Sequence, residues 1–130
     1  MIKKNQQIDP KKTEALIQQI LAVGLEIRYA AICDGIKVLS HQRQDLLQSS
    51  ASTSDLYEEL FVNPTLMKIL TQRGSLDCGG FEYALVRYGN FFQFVTPIAE
   101  TAHISIAIEA DGDITRIIPL LRNKIRNFVP

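Results

Sequence analysis

Hydrophobic positions along the chain change their period several times, and each change marks an element. Leu16, Ile17, Ile20 and Leu21 recur at helical spacing behind Asp9-Pro10, an N-cap acceptor followed by proline where its missing N–H costs nothing. Gly24 stands where a C-terminal cap belongs, so the spacing predicts a first helix. From Glu26 to Cys33 the residues become β-branched and aromatic. Asp34-Gly35, a strong short hairpin signal, joins this run to Ile36–Ser40, predicting two antiparallel strands.

His41 to Ser52 is polar and serine-rich apart from Leu46 and Leu47, and reads as a connection containing a short helical turn. Ser52-Thr53-Ser54-Asp55 then supplies N-cap acceptors for a helix whose apolar stripe is Leu56, Leu60 and Phe61. Asn63-Pro64 predicts a break and a restart through Gln72, with Gly74 as the stop. In the second piece Leu66, Met67, Ile69 and Leu70 spread over roughly 160° at 100° per residue, wider than one supporting surface requires.

Cys78-Gly79-Gly80 precedes a predicted strand from Phe81 to Tyr88, where Phe81, Tyr83 and Leu85 alternate with Glu82, Ala84 and Val86. Gly89-Asn90 is a tight turn into a strand from Phe91 to Ile98, with Pro97 expected at its end because proline cannot donate to a central ladder. His103–Glu109 completes a meander, with Ile104, Ile106 and Ile108 on one face and His103, Ser105 and Ala107 on the other. Asp111-Gly112-Asp113 leads into a closing helix carrying Ile114, Ile117, Ile118, Leu121 and Ile125, in which Pro119 predicts a kink or a late start.

The order is α-β-β-α-β-β-β-α. Apolar residues on both faces of the third and fourth strands predict helices on both sides, hence an α/β (α+β) three-layer α-β-α sandwich around a five-stranded antiparallel sheet. At 130 residues one domain is expected, residues 1–130, with 1–9 as a flexible tail.

Charge narrows the functional classes. Fourteen basic and fourteen acidic side chains cancel, leaving no positive field to attract a nucleic-acid backbone. The longest apolar runs, Ala30–Cys33 and Ile117–Leu121, fall far short of the roughly 20 residues that span a bilayer, so no membrane insertion is expected. The polar N-terminus lacks a signal-peptide core, which makes the cytoplasm the expected location. Cys33 and Cys78 lack the spacing of redox or zinc motifs and read as reduced thiols.

The element order, the Asp34-Gly35 hairpin, the central helix and the run Gly80-Phe81-Glu82-Tyr83-Ala84-Leu85-Val86-Arg87-Tyr88-Gly89 followed by Phe91–Ile98 resemble the roadblock (dynein light chain) family, from about Lys11 to the neighbourhood of Asn127. The resemblance implies a profilin-like or longin-like sandwich that pairs through its central helix and third strand into one continuous sheet. It implies a non-catalytic, homodimeric scaffold or regulator, with a small GTPase or another signalling protein as partner. Carried over by position, Leu66, Met67, Leu70, Phe81, Tyr83 and Leu85 are the candidate dimer contacts. The Asn63-Pro64 break departs from that family's single long central helix.

Catalytic chemistry is thinly supplied. His41 and His103 are the only histidines, and His103, near Ser105, is read as a structural or surface residue with no catalytic assignment. Cys33 is expected to be inert core and Cys78 an ordinary loop thiol. Asp111-Gly112-Asp113 lacks the remaining ligands of a calcium loop, and no glycine pattern cradles phosphate, so no cofactor or metal is expected. The alternative reading is a small ligand-sensing module with a pocket among Phe81, Tyr83, Tyr88, Phe91, Phe92 and Phe94.

Overall fold

Asp9 caps the first helix, α1 (Pro10–Leu21), its carboxylate accepting from Lys11 N at 2.9 Å. The computed structural model describes residues 9–43 and 52–128. The expected tail, apart from Asp9, and the turn expected in the connection after Arg43 lie outside those residues. Strands β1 (Ile27–Asp34) and β2 (Lys37–Gln42) form the expected hairpin, with Gly35 at φ 63°, a conformation that favours glycine. Strands β3 (Ala84–Arg87), β4 (Phe91–Ala99) and β5 (Ala102–Glu109) follow, and α4 (Ile114–Phe128) closes the chain. The sheet order is β2-β1-β5-β4-β3, every pairing antiparallel.

The two faces of the sheet differ in kind. Ala30, Ile32, Phe94, Ile104, Ile106 and Ile108 meet α1 and α4 in the main apolar core. On the opposite face β5 offers His103, Ser105 and Ala107, beneath the helix that follows residue 51. The result is the three-layer α-β-α sandwich expected from the sequence.

The central helix corrects one expectation. Helix α2 (Ser52–Tyr57), a π-helical turn (Glu58–Val62) and α3 (Asn63–Asp77) form one uninterrupted run, with no break at Asn63-Pro64. Asn63 is helical, at φ −65° and ψ −44°, and its N–H reaches back to Glu58 O. A proline ring in an α-helix clashes with the carbonyl four residues earlier, and a wider π turn moves that carbonyl aside. Thr65 Oγ1 then donates to the Phe61 carbonyl at 2.7 Å. Pro119 likewise sits inside α4, which starts at Ile114 and not late.

Gly74 does not stop the helix either. A Cβ there would lie 2.7 Å from Phe81 N and 3.0 Å from Gly80 C, so its place is a close crossing of helix and returning chain. Gly80 N donates to Gly74 O at 3.0 Å across that crossing.

The third strand is shorter than the predicted Phe81–Tyr88, and Pro97 lies inside β4 and not at its end. Both corrections have one cause. Tyr88 N donates to Phe91 O, so on the paired register residues 91, 93, 95 and 97 turn their main-chain groups towards β3. Pro97 has no N–H to give Glu82, and the ladder ends at Ala84–Val95. The Thr96 hydroxyl takes the vacant place, donating to Glu82 O at 2.6 Å.

Candidate functional site

The π turn points Glu59 into the sheet, where it is 1% exposed. A buried carboxylate persists only when its lone pairs are met by donors. Oε1 accepts from His103 Nε2 at 2.8 Å and Asn63 Nδ2 at 3.1 Å, and Oε2 from Ser105 Oγ at 2.5 Å and Tyr29 OH at 3.2 Å. Four donors from β1, β5 and α3 thus converge on one side chain. Burial first, and then the Glu59 charge, push the Tyr29 phenol well above its ordinary range. Burial, followed by Glu59 and Asp34, raises the Cys33 thiol to about 11.

This cluster contains a serine, a histidine and an acid, but not in a catalytic order. Both Ser105 and His103 bond to Glu59, so no imidazole is placed to take the serine proton, and Ser105 is fully buried. Its geometry fastens helix to sheet. Among the described residues no group of three or more His, Cys, Asp and Glu side chains is arranged to hold a metal ion. No helix among them is long and apolar enough to cross a membrane.

Burying Glu59 inverts the expected helix face. Of the expected apolar stripe, Leu56 and Phe61 are exposed and Leu60 is half-buried, and Tyr57, Ile69 and Leu76 are exposed as well. Tyr57 and Phe61 pack ring to ring, with centroids 5.4 Å apart, on this outer surface. The sequence signal for Glu59 lay in its future neighbours, since the His103/Ser105 face of β5 needs a polar partner from whatever covers it.

The six candidate contact residues fall on two faces. Met67 is buried beneath α3, while Leu66 and Leu70 are half-buried along it. Tyr83 and Leu85 belong to the other side of the sheet: Leu85 packs on the main core, and Tyr83 stacks on Phe94 beneath the Arg122 guanidinium of α4. Phe81, half-buried, lies at the Gly74 crossing. Strand β3 is the edge strand beside β4, one of the two strands that α3 packs against. There the main-chain groups of Leu85 and Arg87 turn away from β4, since the alternate residues of β3 make its ladder.

A cleft of about 550 Å³ opens between the start of the helical run and the β3–β4 turn. Of the six aromatic residues expected in a pocket, only Tyr88 and Phe91 line it, joined by Tyr57 and by Tyr29. Phe94 is fully buried in the main core, with Phe92 packed against that core.

No protein-family model matches the chain, and no curated protein matches it significantly in sequence. Solved structures do match. A Roadblock/LC7 domain from Streptomyces avermitilis superposes with a TM-score of 0.64 at 12% identity, over 93% of this chain and 94% of that one. The fold is that of a roadblock domain. The gliding protein MglB from Thermus thermophilus aligns over 99% of this chain and 98% of its own, with a TM-score of 0.66 at 11% identity. An MglB in a tetrameric arrangement gives 0.69 at 12% identity, over 98% and 95%. At such identities the roadblock likeness extends to the path of the chain and not to its side chains.

Proposed function

We propose that this chain is a non-catalytic adaptor that pairs with a second copy of itself through the outer face of α3 and the open edge of β3, and presents the joined surface to another protein. The observation that carries this reading is the reversed helix. Phe61 at 62% exposed, Ile69 at 57% and Leu76 at 77% face outwards, while Glu59 is sealed inside. Apolar side chains in such numbers on one helical run, in a chain whose sheet also ends in an unpaired β3 edge, fit an interface better than a solvated surface.

Edge-to-edge pairing explains why the candidate contacts lie on two faces. A sheet continued through β3 brings the half-buried Leu66 and Leu70 towards their counterparts on the α3 side and Tyr83 and Leu85 on the α4 side, whereas Met67, buried beneath α3, and Phe81, at the Gly74 crossing, stay within each copy. The tetrameric MglB structure shows that this fold supports self-association in that protein. The roadblock resemblance supplies the onward partner, a small GTPase or other signalling protein, which such an adaptor regulates by binding one of its states more tightly.

Sedimentation equilibrium tests the pairing. The wild-type chain is expected to be dimeric at micromolar concentration. Ile69→Glu, which puts a charge on the exposed face, and Arg87→Pro, which removes an outward N–H from the β3 edge, are each expected to yield a folded monomer. A monomeric wild-type chain overturns the proposal, as does a dimer that neither substitution weakens.

A further inference from the structure

The cleft beside the helical run has the size of pockets that take small organic molecules, roughly 300–1,000 Å³. Its lining is not spare core. Asp55, Glu58 and Glu59 contribute three carboxylates, set against one guanidinium, that of Arg28, which is already engaged by Glu109. Burial raises the Glu58 carboxyl, opposed by the Tyr88 hydroxyl that donates to it at 3.1 Å; the Glu59 and Asp55 charges push it further up and His103 pulls it down. The Tyr88 phenol is itself raised, by burial and by Glu58. Both groups are held towards their protonated forms chiefly by burial.

A second observation is independent of charge. Gln93 lines the cleft from β4 and is 3% exposed, yet its Nε2 has no hydrogen-bond acceptor. A buried amide donor is normally paired, because leaving it unmet sacrifices its hydration. Its side chain shares a face with Val95 and Ala107, where an apolar residue would pack without that penalty. The rings of Tyr57, Tyr88 and Phe91 add flat, electron-rich walls.

We infer that the cleft binds a small organic cation, planar in the manner of a guanidinium, which lies against the aromatic rings with its charge at Glu58 and offers one acceptor to Gln93 Nε2. An anion is disfavoured because Arg28 is already paired and the remaining charge is negative. A purely apolar ligand gives the Glu58 carboxylate no counter-charge and Gln93 Nε2 no acceptor. The inference does not rest on self-pairing, and the two fail separately, one by mass and the other by ligand response.

The test uses N-acetyl-L-arginine amide, which carries both the cation and carbonyl acceptors, and N-acetyl-L-citrulline amide as its neutral isostere. Each is titrated into the full chain and followed by amide NMR shifts and by melting temperature. The arginine compound is expected to give saturable shifts around residues 55–59, 89–91 and 93 and to raise the melting temperature, with the citrulline compound weaker by about tenfold or more. Glu58→Gln is expected to erase that difference while leaving the fold intact. Gln93→Leu is expected to raise the melting temperature of the free chain and to weaken both compounds. The inference is overturned by no saturable shift with either compound, by equal response to both, or by a Gln93→Leu chain that melts lower than wild type.

Discussion

Replacing Glu59 separates two roles that its carboxylate plays at once, filling space and accepting hydrogen bonds. Glu59→Ala removes both oxygens, leaving His103, Asn63, Ser105 and Tyr29 without their common acceptor at a position only 1% exposed in the intact chain. Breaking a buried charged cluster from one side costs about 3–5 kcal/mol. Glu59→Gln keeps one acceptor oxygen, which serves Asn63 and His103. Its new amide N–H donors face Ser105 and Tyr29, whose hydroxyls can turn and accept. What is lost is charge assistance, worth about 1–2 kcal/mol. For a chain of 130 residues each kcal/mol moves the melting temperature by about 3–5 °C. Alanine is therefore expected to lower it by about 10–20 °C and glutamine by about 4–8 °C. Urea unfolding monitored by far-UV circular dichroism provides both differences from the shift in midpoint, at unchanged slope. Equal losses for the two variants, or an alanine loss below about 1 kcal/mol, would refute the view that this carboxylate is sealed and fully satisfied.

Two further outcomes follow from packing and thiol chemistry. Gly74→Ala gains about 1 kcal/mol of helix propensity, yet its Cβ meets backbone at 2.7 Å, so net destabilisation of about 1–2 kcal/mol is expected; a stabilised variant in thermal melts would show that the crossing yields freely. With Cys33 buried and its thiol near 11, only about one molecule in a thousand carries its thiolate at pH 8, whereas Cys78 is exposed. Titration with a chromogenic disulfide reagent should therefore find one fast thiol in the native chain and two in denaturant, and equal native rates would contradict the burial of β1.

Much of the architecture was legible because local signals agreed with one another. Asp34-Gly35 between two β-branched runs, and the Ile104, Ile106, Ile108 alternation, each specify an element and its buried side without help from distant residues. The failures arose where distant residues decide. Asn63-Pro64 read as a break because the sequence does not display the π turn that relieves the proline clash. Leu56 and Phe61 read as core because hydrophobicity names an apolar face and not what lies opposite it. Here the opposing face of β5 is polar, and it draws in Glu59. The cleft was anticipated as aromatic, but its acids and Gln93 come from segments whose proximity appears only on folding.

The Thr96–Pro97 pair of β4, opposite the residues that lead into β3, bears on how far the sheet can grow. With its ladder stopped at Ala84, the open edge is only four residues long. Pairing β3 with β3 of another copy is a two-fold arrangement that uses up that edge on both. The opposite edge, β2, carries Lys37, His41 and polar Ser40 and Gln42, a poor template for further strands. Growth by this route therefore closes at two copies and does not run on into a filament. A single proline, by shortening one strand, would keep an adhesive edge from becoming an aggregation hazard.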